Sequence, residues 1–307
     1  MTRNYAIVLP SFFVLLVSGS NEVGSQNMPP FGSGRGAAPI FNRDRVTDSH
    51  LAVKAASTDT ERRLTEGVYA KANGLPPGEV EKRFAASGVL RCPGGDSSAQ
   101  VTGARDVITT AAHAFRDLCK PHTAPDKCIF EYYLGAERRT IPLSATLWMG
   151  TCVESAPKAI VSDWAVAKLE SAAEVTPYEI NERTEIVVEL ERVLAVVGYD
   201  IEATGKRDRY GPFNKTIQEC QIRDVRDWSI FETSCEFTVG ASGSALFRLL
   251  DGRMTLFGVL NGDYHDKEYC PRGSCEFKSR HWSSVYVTVK GEFKDRLLAA
   301  VSQSAAK

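Results

Sequence analysis

From Gly88 onward the chain breaks into short strand-like runs: GVLRC, DVITTA, CIFEYYL, TIPLSATLWM, DWAVAKL, RVLAVVGY, TIQECQI, SALFRL, MTLFGVL and SSVYVTV. Gly, Pro, Asp and Asn separate most of them. Runs this short, rich in Val, Ile, Thr and aromatic residues, suit the half-buried surface of a pleated sheet. Many such strands with turn residues between them, and almost no helical periodicity, restrict the chain to an all-β sandwich or barrels. One helix closes the chain: Phe293, Leu297, Leu298 and Val301 fall at helical spacing after Lys290-Gly291. There is no internal repeat.

The stretch ahead of the β region has a different character. Residues 21–40 are rich in Gly, Ser, Pro and Asn without apolar periodicity, which reads as a flexible linker. DTERRLTEGVYAKANG then predicts a helix. Thr58 and Glu61 are spaced as a capping box, Leu64 and Val68 share a face, and Asn73-Gly74 before Pro76-Pro77 ends it. A helix this small cannot bury a core alone, so it is either a pro-segment or a strap packed on the main domain. Lys82-Arg83 is a solvated charged turn or a processing point. The expected organisation is a leader at 1–25, a flexible and partly helical segment at 26–84, and one domain at 85–303.

The leader is inferred from MTRNY, with its arginine, followed by AIVLPSFFVLLV and the small residues Ser18, Gly19 and Ser20. That run is too short for a membrane span of about 20 residues, and its layout matches a secretory signal peptide. Removal of the leader would leave a secreted or periplasmic chain with no membrane attachment. Eight cysteines, all beyond the leader, suit an oxidising compartment. None form the CxxC pairs that zinc favours, so no metal is expected. Connectivity cannot be deduced from eight cysteines, but the short-range pairs Cys220–Cys235 and Cys270–Cys275 are the expected bridges. With 37 Lys+Arg against 38 Asp+Glu, bulk charge gives no support for a nucleic-acid partner. Nothing implies a cofactor, and the oligomeric state is unreadable.

The segment TVGASGSALF, at 238–247, sets Ser242 among Gly240, Ala241, Gly243, Ser244 and Ala245. A tight turn would explain the small residues. So would a requirement that another molecule reach the hydroxyl and the backbone beside it. The second reading needs a base and an acid to orient it. Of five histidines, His113 alone ends an apolar strand, VITT, and is preceded by Ala111 and Ala112. Asp163 stands at the mouth of the apolar strand beginning Trp164, where a partly buried carboxylate needs hydrogen-bond donors. The order His113, Asp163, Ser242 is that of the chymotrypsin arrangement, not of subtilisins or α/β-hydrolases, and strand-like SALFRL follows Ser242 where a hydrolase elbow would need a helix.

These residues resemble the motifs of trypsin-like serine proteases. ITTAAHAF is similar to their histidine motif, DWAVAKL to their aspartate strand, GASGSAL to their serine motif, and MTLFGVLNG to the strand lining their substrate cleft. SGSA, with Cys235 upstream, resembles the bacterial glutamyl-endopeptidase-like branch. NRDR at 42–45 is similar to the domain start in that branch. The resemblance covers roughly Gly88 to the C-terminus. It implies two six-stranded antiparallel β-barrels, His113 and Asp163 on the first and Ser242 on the second, with the site between them. It also implies an oxyanion hole at the amides of Gly240 and Ser242. No cysteine directly follows His113, so any bridge pinning that loop would use Cys119. Ala241 stands where zymogens of this family carry an aspartate that captures a new N-terminus, so that switch is absent.

The expected function is an exported serine endopeptidase acting on proteins or peptides through an acyl-enzyme, with His113 as base, Asp163 as orienter and Ser242 as nucleophile. The alternatives are a catalytically idle binding module on the same fold and an esterase using the same triad. For specificity, the family analogy places Glu236, six residues before Ser242, at the base of the substrate pocket, with Asn261 and Gly262 as one wall.

Overall fold

The computed structural model describes residues 5–8, 63–153, 160–181, 191–200, 215–226, 229–237, 239–250, 253–266 and 282–305. Its elements, in chain order, are β1 (Tyr5–Val8), β2 (Leu64–Thr65), α1 (Glu66–Ala72), α2 (Pro77–Arg83), β3 (Ser87–Cys92), β4 (Gly95–Val101), β5 (Val107–Thr110), β6 (Arg116–Asp117), β7 (Lys120–Pro121), β8 (Ile129–Leu134), β9 (Glu137–Met149), β10 (Ala165–Leu169), β11 (Glu179–Ile180), β12 (Arg192–Val197), β13 (Thr216–Arg226), β14 (Ile230–Thr233), β15 (Ala245–Leu250), β16 (Arg253–Asp266), β17 (Trp282–Thr288) and α3 (Glu292–Ala305).

Six antiparallel strands, β10-β5-β4-β3-β8-β9, close the first barrel, with β9 pairing back to β10. The second runs β16-β15-β12-β13-β14-β17 and closes through β16–β17. The two-barrel, all-β expectation therefore holds, as does the terminal helix. Two strands escaped the sequence reading for the same reason: β4, GDSSAQV, and β14, IFET, carry polar side chains into buried positions. Short β1, β2 and β11 add to the second sheet.

Closure fixes which residues can be large. Val107, Ile108, Phe130, Val166 and Ala167 are fully buried in the first barrel, and Ala195, Val197, Leu246 and Tyr286 in the second. Tyr178, in the crossing between barrels, bonds Ser87 through its hydroxyl at 2.9 Å and packs its ring 4.4 Å from that of Phe247. The terminal helix returns to the first barrel: Phe293 stacks on Trp164 at 4.9 Å, and Lys168 of β10 donates to Ala300 O at 3.4 Å.

Residues 63–84 are a strap built into this core. The helix starts at Glu66, not near Thr58, because Leu64 and Thr65 pair with Ile217 and Thr216 as a strand. Its end at Asn73 is as the sequence implies. Tyr69 and Ala70 face inward, while Val68 is exposed. A second helix, α2, was not anticipated; it brings Val80 and Phe84 into the core. Lys82-Arg83 ends this helix, and Arg83 pairs with Glu79 at 2.9 Å. Buried Lys215 donates to Phe84 O at 2.8 Å and pairs with Glu66 at 3.1 Å, and Arg63 pairs with fully buried Asp200 at 3.2 Å. Removing the strap would take the Glu66 carboxylate from buried Lys215 and the Arg63 guanidinium from buried Asp200.

Phe84→Ala tests this. The ring is fully buried and meets Tyr69 edge-on at 5.9 Å. The truncation is expected to cost about 3–5 kcal/mol in urea or thermal unfolding. An unchanged midpoint would mean the strap is dispensable.

Three disulfides join described residues: Cys92–Cys128, Cys119–Cys152 and Cys220–Cys235. The last is the pairing expected from spacing. Cys270, Cys275, residues 21–40, NRDR and the capping-box residues lie outside the described residues. Of residues 1–25, only Tyr5–Val8 is described, as a strand antiparallel to the end of β16. No helix among the described residues is long and apolar enough to cross a membrane.

Candidate active site

Strand register brings His113 to Asp163. In the β5–β10 pair, Thr110 lies opposite Ala165, so the residues just beyond β5 meet those just before β10. Ala111 and Ala112 are fully buried, and a 3-10 turn at Ala112–Ala114 carries the imidazole to the cleft. Another 3-10 turn, Ile160–Ser162, ends in an Asp163 N to Ile160 O bond of 3.1 Å that sets the carboxylate. The loop after His113 is tied by Cys119–Cys152, the substitution expected from the missing neighbouring cysteine.

Asp163 is 7% exposed and accepts three hydrogen bonds. His113 N donates to Oδ1 at 2.7 Å, His113 Nδ1 to Oδ2 at 2.6 Å, and Asn261 Nδ2 to Oδ2 at 2.7 Å. This arrangement fixes the ring tautomer: Nδ1 carries the proton, and Nε2 is free to accept one. Nε2 is buried and has no hydrogen-bond partner among the described residues. Burial opposes charging of the imidazole, but the Asp163 charge and hydrogen bond together outweigh it and raise the His113 pKa above its ordinary value.

Ser242 sits on the facing barrel, in the loop before β15. Gly243 takes φ +84°, and a Cβ there would lie 2.2 Å from Ser98 O and 2.3 Å from Thr110 Oγ1, so the loop lies directly on the first barrel. Gly243 N donates to Leu260 O at 2.8 Å, and Ser244 N to Ala241 O at 2.9 Å. Across the barrels, Ser98 N donates to Ser242 O at 2.7 Å. Among the described residues, the amides of Gly240 and Ser242 donate no hydrogen bond, leaving two adjacent donors at the serine.

The cleft beside His113 is lined by Arg116, Leu118, Val153 and Ile160 together with Ser162, Asp163 and Asn261. Asn261 is a cleft residue whose amide is engaged: besides Asp163 it donates to Ile160 O at 3.3 Å. The sequence reading gave it no part in holding the aspartate. Gly262 pairs with Val285 at an irregularity in β16–β17. At Glu236 the backbone is clamped by Gln218, which donates to its O at 2.6 Å and accepts from its N at 3.1 Å. The next residue, Phe237, meets Tyr286 edge-on at 5.8 Å. His122 donates from Nε2 to His113 O at 3.1 Å. No cluster of His, Cys, Asp and Glu among the described residues is arranged to hold a metal ion.

No family model and no curated protein matches this chain. Solved structures do. A Glu endopeptidase superposes with a TM-score of 0.53 at 14% identity, over 71% of this chain and 91% of its own. A scabies mite inactivated protease paralogue superposes with a TM-score of 0.53 at 14% identity, over 72% of this chain and 96% of its own. The chain has the chymotrypsin-like fold of these neighbours.

Proposed function

We propose that this chain is an exported serine endopeptidase in which His113, Asp163 and Ser242 act in turn as base, orienter and nucleophile. One observation carries the reading. A triply bonded aspartate holds an imidazole whose remaining nitrogen is buried and, among the described residues, unpaired, and the loop of the second barrel carries a serine and two amides that donate to no described residue. A serine hydroxyl is a weak nucleophile at neutral pH. Taking its proton onto Nε2 allows attack on a peptide carbonyl, and the same proton then goes to the leaving amine. The Gly240 and Ser242 amides would receive the negative oxygen. The glutamyl specificity of one fold neighbour is not carried over. Export rests on the leader-like run and on the three disulfides.

The test is labelling by a fluorophosphonate, expected in the wild type and lost in Ser242→Ala. A second reading is favoured by one observation. His113 Nε2 makes no bond to Ser242 in this structure, and one fold neighbour is an inactivated protease. An idle binding module would not label at all. Such bonds also lengthen in substrate-free enzymes and tighten with substrate, so labelling decides between the two. Comparing peptide with ester turnover separates a peptidase from an esterase. Substrate choice is read from a peptide library run on wild type and Glu236→Gln; an unaltered profile removes Glu236 from the pocket.

The raised His113 pKa has a kinetic sign. The base works only when neutral, so activity is lost as pH falls through this pKa. Because Asp163 favours the charged ring, the acid limb of kcat/KM is expected above the free-imidazole value of about 6.5. A limb below that value would contradict the ion pair.

A further inference from the structure

The roles above leave one fully buried hydroxyl unused beside the serine loop. Ser98, on β4, is 0% exposed. Its Oγ donates to Gly240 O at 3.1 Å and accepts from Tyr199 N at 3.0 Å. Its N donates to Ser242 O at 2.7 Å, and its O accepts from Thr110 Oγ1 at 2.7 Å. Thr110 ends the strand that leads to His113. One residue thus touches the nucleophile loop twice and the histidine strand once.

Given the hydrolase reading, we propose that Ser98 is a positioning residue, its hydroxyl holding the Gly240 carbonyl so that the Gly240 amide faces the cleft. The need for it follows from local chemistry. Gly240 has φ +94° and no side chain to restrict rotation, so its orientation must come from outside the residue. The neighbouring carbonyls are held otherwise: Ala241 O by Ser244 N and Oγ, and Ser242 O by Ser98 N. Only the Gly240 peptide depends on a single side chain among these contacts. A peptide is planar, so the held carbonyl fixes the 240–241 plane; the Gly240 amide lies in the preceding peptide and is aimed from that fixed plane by ψ and φ of Gly240. Tyr199 limits those rotations: a Cβ on Gly240 would lie 2.5 Å from Tyr199 Cδ1, so the glycine packs flat on the ring. Tyr199 is in turn placed by its own bond to Ser98 Oγ and by its neighbour Asp200, which Arg63 and Thr216 hold at 3.2 and 3.0 Å. With the hydroxyl gone, no water reaches this buried site easily, and the Gly240 peptide is free to turn.

The experiment uses the full chain and Ser98→Ala, with p-nitrophenyl acetate as a probe that needs no side-chain pocket. The acylation burst is expected to slow about 10²-fold, the loss typical of one oxyanion donor, with half-saturation unchanged. The acid limb of the profile should stay in place, since His113 and Asp163 are untouched. Hydrogen exchange at the Ser98 and Gly243 amides should quicken while the barrel strands keep their protection. Ser98→Cys, which keeps a side-chain donor in a slightly larger and weakly donating group, should show the same pattern at smaller amplitude and serves if the alanine variant does not fold. An unchanged burst, a shifted acid limb, or unchanged exchange at those two amides overturns the proposal. If the wild type neither labels nor turns over the ester, the hydrolase reading fails and takes the catalytic role of Ser98 with it. The anchoring of Gly240 is still judged by exchange.

Discussion

Ser242→Ala and His113→Ala should each lower turnover by about 10⁴-fold or more, with the double variant little worse than either. The reason is that one proton-transfer system is broken in every case. Without the serine, the imidazole has nothing to deprotonate; without the imidazole, the hydroxyl keeps its proton. What survives is binding and the backbone amides of Gly240 and Ser242, which all three variants retain. Structural damage is a small competitor here. The Ser242 side chain makes no hydrogen bond among the described residues, and in His113→Ala the Asp163 carboxylate keeps the His113 N and Asn261 Nδ2 donors. Thermal midpoints near wild type would confirm that folding is not the cause. The measurement is burst kinetics with an ester alongside peptide cleavage. Losses that add in the double variant would mean that the two residues act in separate steps and that the assignment is wrong.

The parts of this molecule legible in its sequence are those in which a local rule decides. Strands such as VITT and AVAKL read correctly because their apolar runs are buried on both sides. The helix end at Asn73 was legible because Asn-Gly before Pro-Pro permits little else. The helix start was not, because Leu64 and Thr65 obey β13, a partner some 150 residues away, over any capping signal. The same contrast runs through the site. His113, Asp163 and Ser242 announce themselves through small or apolar neighbours. Ser98 sits in the polar run GDSSAQV, where no periodicity marks a strand and nothing local says that its hydroxyl reaches Gly240. Asn261 was visible beside the strand MTLFGVL, but its bond to Asp163 spans the two barrels. Contacts of that kind come from closure of the fold, and residue type alone does not carry them.

Asp163→Asn is expected to be almost as damaging as loss of the serine, about 10⁴-fold in kcat, although it deletes no atom from the carboxyl framework. The carboxylate accepts from three N–H groups: His113 N, His113 Nδ1 and Asn261 Nδ2. An amide offers one acceptor oxygen and one NH2, so at least one of these donors must face another donor. Keeping the bond from His113 N leaves the amide oxygen at the Oδ1 position and puts the new NH2 at the Oδ2 position, facing both His113 Nδ1 and Asn261 Nδ2. Nδ1 then gives up its proton to accept, the proton moves to Nε2, and the ring can no longer take one from Ser242. The shift in His113 supplies an independent readout. Asp163 supplies the two contributions that raise its pKa, and burial alone would lower it. The imidazole of Asp163→Asn should therefore titrate below wild type by NMR, while in wild type it titrates above the ordinary value. Full activity in Asp163→Asn, or a His113 titration unmoved by the substitution, would show that the carboxylate does not set the base.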